Sequence, residues 1–202
     1  MSTPAARWHP ARMDAPDYVL EGERVALGPL RKDLADRYRR WVHDLEVRNG
    51  ILTVGVYALE AEEAWVEEAI AKCAGAQPEM ATFTVYDVSD GAPVGTAGLI
   101  TIDWRLSRAT FGISIGERRG TGLGTEATRL TLDWAFNMLG LHNVMLTVLP
   151  TNAAAIRTYE KAGFKRIGIR RDALSVMGRR GDEVLMDAVA SEFDSPVLAA
   201  RR

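Results

Sequence analysis

Apolar positions along this chain fall into short runs whose spacing alternates between strand and helix periods. Arg24-Val-Ala-Leu-Gly-Pro-Leu30 is a compact apolar run of strand type. From Lys32 to Val47 the residues Leu34, Tyr38, Trp41, Val42 and Leu45 recur at helical spacing among charges, predicting one amphipathic helix followed by a loop. Leu59–Cys73 predicts a second helix, with Glu60, Glu62, Glu63, Glu67 and Glu68 on or near its exposed face. Met80–Val88 and Pro93–Asp103 read as strands joined by a turn at Ser89-Asp-Gly91. Ala109–Ile115 is a further strand, after which Leu123, Ala127, Leu130, Trp134 and Met138 repeat on one helical face. Asn143–Leu149 is a β-branched, buried type of strand. It leads into a helix with Asn152 as N-cap, Ile156 and Tyr159 on one face, and Gly163 just past the end. Arg166–Val176 and Glu183–Val189 would close the pattern as an antiparallel pair. Residues 1–18 and 191–202 read as irregular tails, leaving one domain over 19–190.

Bulk properties narrow the function classes. A chain of 202 residues fills one α/β domain and is short for two. The formal charge of −2 and the lack of a sustained basic stripe argue against nucleic acid as a partner. No apolar run approaches the length of a membrane span and no charged-then-apolar leader opens the chain, which predicts a cytoplasmic protein without membrane contact. The single cysteine, Cys73, excludes an internal disulfide, and the three histidines lack ligand spacing, so no metal is expected.

The segment most informative about chemistry is Gly116-Glu-Arg-Arg-Gly-Thr-Gly-Leu-Gly-Thr-Glu126, where glycines stand between a strand and a helix. Backbone N–H groups at a helix start lack intrahelical acceptors and sit at the positive end of the macrodipole, so such a loop can cradle an anion. A Walker loop is excluded because Gly124 is followed by Thr125 and Glu126 without a lysine, and a dinucleotide fingerprint because the sixth position from Gly120 is Thr125. The pattern that fits is Arg119-x-x-Gly122-x-Gly124, which resembles the acyl-CoA pyrophosphate loop of the GNAT N-acyltransferase superfamily. About thirty residues later, Asn152-x-x-Ala155-x-x-x-Tyr159-x-x-x-Gly163-Phe164 resembles that family's second signature at every marked position. The run Trp41-Val-His-Asp-Leu-Glu46 and the ending Arg166–Arg170 with Gly181–Met186 are similar to the branch holding ribosomal-protein N-terminal and spermidine acetyltransferases.

The resemblance implies a single GNAT fold of mixed α/β (α+β) class. Its central sheet is mostly antiparallel, splayed between two parallel strands and flanked by helices. It also implies acetyl-CoA as cosubstrate, held by Ile113, Ser114, Ile115, Arg118, Arg119, Gly120, Thr121, Gly122, Leu123, Gly124, Thr125, Asn152 and Ala155. The pantetheine arm would pair with the edge of strand 113–115, and an N–H there would polarise the thioester carbonyl. Tyr159 would protonate the departing thiolate, since a phenol of pKa about 10 keeps its proton at neutral pH while a thiol ionises near 8.5. An alkylammonium of pKa about 10.4 is neutral in only about one molecule per thousand at pH 7, so a proton must be removed. Candidate bases are Glu117, placed first, then Asp103, Ser114 through water, His43 and His142, and ordered water alone is a further option. The resemblance further implies a small-molecule amine or a peptide N-terminus as acceptor, in a groove lined by residues 48–57 and by the loop between the last strands, with Tyr57, Asp103 and Trp104 shaping it. A homodimer is compatible with the composition. A second reading is a catalytically silent CoA-binding or regulatory module on the same fold. Intact Tyr159, Asn152 and glycine loop favour the enzyme.

Overall fold

The computed structural model describes residues 16–176 and 178–198; most of the expected N-terminal tail lies outside them. One sheet of eight strands carries the fold, in the order β1-β2-β3-β4-β5-β6-β8-β7. The strands are β1 (Leu20–Glu21), β2 (Val25–Pro29), β3 (Ala81–Asp87), β4 (Ala92–Asp103), β5 (Arg108–Ile115), β6 (Asn143–Val148), β7 (Lys165–Val176) and β8 (Arg179–Val189). Every neighbouring pair is antiparallel except β5 and β6. That parallel pair is joined over three residue pairs alone, Arg108–Asn143, Ala109–Val144 and Thr110–Met145. Beyond Thr110 the two strands diverge, although β5 stays paired with β4 to Ile115 and β6 with β8 to Val148.

Among the described residues five α-helices cover the sheet: α1 (Ala35–His43), α2 (Leu45–Ile51), α3 (Leu59–Lys72), α4 (Leu123–Asp133) and α5 (Ala153–Ala162). The helix expected over Lys32–Val47 is in fact broken. A 3₁₀ turn at Lys32–Leu34 leads into α1, and at Asp44 the backbone becomes extended. Asp44 then caps α2, its carboxylate accepting the N–H groups of Glu46 and Val47, and α2 runs into the segment expected to be loop. An aspartate that can satisfy orphan N–H groups competes with helix continuation.

Phe83 meets the Trp134 ring at 5.5 Å, while the next residue, Thr84, bonds the Tyr38 hydroxyl. Alternate strand side chains point to opposite faces, so α4 covers one face and α1 with α3 the other. The main core lies under α4 and α5, where Leu123, Ala127, Leu130 and Ile156 pack on Phe83, Leu99, Phe111 and Leu146. A smaller core of Leu30, Ala35, Tyr38, Trp41, Val66 and Ala69 joins α1 to α3.

Two carboxylates tie distant segments to α4. Glu126 Oε1 accepts the N–H groups of Glu23, Arg24 and Val25 at 2.7, 2.9 and 3.3 Å, fixing the β1–β2 turn against the start of the helix. Asp133, fully buried, accepts from Asn137, from the Ser195 hydroxyl, and from the N–H groups of Val197 and Leu198 at 2.9 Å each. Residues 193–198, expected to be an irregular tail, are therefore docked, with Phe193 against Phe136 at 5.2 Å. After Asp133 the helix widens into a π turn over Trp134–Met138, which carries Met138 off the buried face.

Asp133→Ala leaves two backbone donors without their acceptor, and we expect it to cost about 2–3 kcal/mol of stability. Urea unfolding of the full chain measures this. An unchanged midpoint would mean the docking is not held by Asp133.

Candidate active site

The divergence of β5 and β6 leaves the β6-facing edge of Phe111–Ile115 without a strand partner. Two cavities open on this wedge. One, of about 670 Å³, is bounded by the 118–125 loop, by α5 and by α2. The other, of about 340 Å³, lies under α1 and α3 against β3, β4, β5 and β6. They meet at Gly50, Ile113, Ser114 and Tyr159, the residues that line both.

Of the residues expected to hold a cosubstrate, Ile113, Ser114, Ile115, Arg118, Arg119, Gly120, Gly122, Gly124, Thr125, Asn152 and Ala155 line the larger cavity. Thr121 and Leu123 do not. Leu123 is a core residue, and Thr121 turns its carbonyl to Arg24 Nη1 at 3.0 Å and its hydroxyl to Arg118 O at 2.7 Å. Gly120 and Gly122 adopt φ of +76° and +92°, conformations open to glycine, and Gly122 is the residue from which α4 departs. Among the described residues no acceptor takes the N–H groups of Gly120, Gly122, Leu123 or Gly124. The loop thus presents unclaimed donors at the positive end of α4.

The two loop arginines brace this cradle. Arg118 is engaged by Asp87 and Asp90, and its guanidinium is held still more firmly protonated by them. Arg119 donates to the carbonyls of Ile115 at 2.8 Å and Gly116 at 3.3 Å, and pairs with Asp44 and Glu46 of the α2 start. Cations without such partners come from α5 instead. Arg157 and Lys161, one turn apart, line the same cavity and have no acidic partner among the described residues. Their i, i+4 spacing, legible in the sequence, sets both on one face of α5 beside Ala154 and Thr158.

Tyr159 sits where the cavities join, its ring against Phe111 at 6.1 Å and Phe164 at 6.0 Å. Burial pushes its phenol up to about 12, and among the described residues nothing hydrogen-bonds its hydroxyl. Among the described residues Ser114 Oγ, at the same junction, is buried and unpartnered. An unsatisfied buried polar atom is uncommon, and this one stands beside the free Tyr159 hydroxyl where the cavities meet.

Of the expected bases Ser114 lines both cavities, and the others lie elsewhere. Glu117 receives Arg37 Nε at 2.8 Å, Arg37 Nη2 at 2.9 Å and Trp41 Nε1 at 3.0 Å. The Arg37 bonds, with Trp41, hold its carboxyl below the usual range, and it lines neither cavity. It locks α1 to the end of β5, with the Trp41 ring so close to Gly116 that even a Cβ there would collide with it. His43 Nε2 accepts the Tyr57 N–H at 3.2 Å. Asp103 accepts the Leu106 N–H and pairs with Arg108, and His142 lies at the joined end of β5 and β6. Tyr57, Asp103 and Trp104 do not line the smaller cavity, whereas Gly50, Ile51 and Leu52 of the 48–57 segment do.

Sequence reading missed one carboxylate. Glu62, assigned to the exposed face of α3, is 5% exposed and lines the smaller cavity. The signal was present: Glu62, Val66, Ala69 and Cys73 follow one another at i, i+4, i+7 and i+11, the buried stripe of the helix.

Comparison with known proteins bears on this geometry. Residues 24–165 match the protein family described as Acetyltransferase (GNAT) domain. A spermidine N(1)-acetyltransferase of Escherichia coli K12 is 36% identical over 144 residues, covering 69% of this chain and 72% of that enzyme. A probable N-acetyltransferase of Bacillus subtilis, YjcK, is 37% identical over 98 residues, 48% of this chain and 54% of that protein's length. Among solved structures, a spermidine N-acetyltransferase from Vibrio cholerae in complex with CoA and spermine superposes with a TM-score of 0.76. Its sequence identity is 22%, over 84% of this chain and 98% of that one, a likeness of fold.

Gly124 offers a probe of the larger cavity that spares the fold. It has no positive φ, and an added Cβ meets only Ile115 and Thr158, at 3.5 and 3.8 Å. We expect Gly124→Val to remain folded but to weaken CoA binding by a factor on the order of 10 or more, about 1.4 kcal/mol. Calorimetric titration checks this, and parental affinity in the folded variant would remove the cradle from the binding site.

Proposed function

The chain belongs to the GNAT acetyltransferase family, and from that premise we propose that it transfers the acetyl group of acetyl-CoA to a primary amine of a small cationic molecule. The observation that carries the reading is the junction at Ser114 and Tyr159, where an anion-cradling cavity and a separate cavity share a wall. A thioester donor and an amine acceptor could enter from opposite sides and meet there. The E. coli relative acts on spermidine by its name, which supports an amine of this class as acceptor.

In this reading the N–H groups of 120–124 take the diphosphate, with Arg157 and Lys161 adding charge at the rim. The unpartnered edge of Phe111–Ile115 receives the amide-bearing arm as an added strand would be received. The thioester supplies an activated acyl carbon and a thiolate leaving group. When the amine nitrogen bonds that carbon and the C–S bond breaks, the sulfur needs a proton, and Tyr159 is placed to donate it. Burial that raises the phenol keeps that proton available throughout the working pH range. Because Glu117 is spent on Arg37 and Trp41, the first proton leaves the ammonium through another group or through solvent.

Free-thiol release from acetyl-CoA across a panel of polyamines, aminoglycosides, amino acids and peptides tests the reading, and no release with any amine would refute it. Tyr159→Phe should leave the CoA dissociation constant nearly unchanged while turnover falls by a factor on the order of 10²–10⁴. The pH profile carries a sign. A phenol raised from 10.0 to about 12 stays protonated where an ordinary tyrosine ionises, so kcat should hold through pH 10 and fall only as pH approaches 12. A decline centred on pH 10 that disappears in Tyr159→Phe would contradict the buried, protonated phenol.

A further inference from the structure

Among the described residues no hydrogen bond or ion pair reaches the Glu62 carboxyl, and burial pushes it up. Arg39, the cation that acts on it electrostatically, has its guanidinium bonded to Asp36 at 2.7 and 3.2 Å. A buried carboxylate in this state is costly, and a cation brought beside it offsets the cost.

The surroundings say what kind of cation. Glu62 shares its cavity with the Trp41 and Trp65 rings and with Met80, surfaces suited to an alkyl chain and to a charged nitrogen over an indole face. The floor is a row of small residues in register across three strands, Thr82 on β3, Gly98 on β4 and Gly112 on β5. Thr82 Oγ1 is buried and unpartnered on that floor. Two interstrand steps separate Gly112 from Thr82, about 10 Å. Ser114 and Tyr159 belong to both cavities, whereas Glu62, Trp65, Met80 and Thr82 belong to the part that the donor side does not share.

We propose that Glu62 is the specificity-determining residue of the acceptor cavity: its carboxylate receives a positively charged nitrogen of the acceptor other than the one being acetylated. The cavity is thereby a receptor for an alkyl chain carrying two amines, one presented at Ser114 and Tyr159 and one held under α3. This rests on the acetyltransferase reading above for the reaction, though not for the binding of the dication.

The test compares an α,ω-diaminoalkane with the monoamine of the same carbon number, in the parent and in Glu62→Gln and Glu62→Leu. In the parent the diamine should show the lower KM. In both variants its KM should rise on the order of tenfold or more relative to that of the monoamine measured in the same variant. Both variants should melt no lower than the parent, because each removes an uncompensated buried charge. Retained preference for the diamine, an equal loss of kcat for both amines, or a fall in melting temperature in both variants would overturn the proposal. Calorimetric titration of the diamine into the CoA-loaded protein separates the two readings. If no amine is acetylated the reaction assignment falls, while loss of diamine binding in Glu62→Gln still supports Glu62, and a parent that binds both amines equally overturns it.

Discussion

Three parallel residue pairs hold β5 to β6, and the site depends on the pairing stopping there. Had the register continued to Ile115, the backbone edge now free would be consumed by β6 and the two cavities would be sealed from each other. The separation is held from both sides. β5 is anchored to β4 along its full length and β6 to β8, so neither strand can swing to close the gap without giving up an antiparallel ladder. Aromatic packing of Phe111 on Tyr159 and Phe164 fills the base of the wedge, which keeps the phenol at its apex.

Charge is distributed according to the same division. The carboxylates and guanidiniums that build the frame are paired: Glu117 with Arg37, Arg118 with Asp87 and Asp90, Arg119 with Asp44 and Glu46. Among the described residues, groups that face the cavities are left without protein partners: loop N–H groups, Arg157, Lys161, the Tyr159 and Ser114 hydroxyls, the Thr82 hydroxyl and the Glu62 carboxyl. A polar group satisfied inside the protein holds structure, and one left unsatisfied in a cavity is available to a ligand. Glu117 is paired with Arg37 and Trp41 while Glu62 is buried in a cavity wall, because both outcomes turn on what other elements supply.

The order of strands and helices was legible in the chain, since apolar periods of 2 and 3.6 are local properties and most of the elements formed where those periods lay. The glycine loop and the Asn152–Phe164 signature were legible for the same reason. A positive φ at Gly120 and Gly122, a cap at Asn152 and a left-handed Gly163 are each set within a few residues. Tyr159 was legible through its spacing in that helix. What spacing could not reveal was where α1 would break, because an Asp44 cap and a continuous helix place the same apolar residues on the same face.

Sequence alone determined most of the elements, the glycine turn that opens α4 and the place of Tyr159 on α5, because each is encoded by residues close together in the chain. Tertiary structure alone decided which charged groups are spent and which are free. Arg37 comes from eighty residues away to neutralise Glu117, and Asp133 reaches across more than sixty residues to fasten the C-terminal segment. Glu62 is buried because α3 lies against α1 over a floor of three strands, and the energy of an ion depends on its solvent and its partners rather than on its neighbours in sequence.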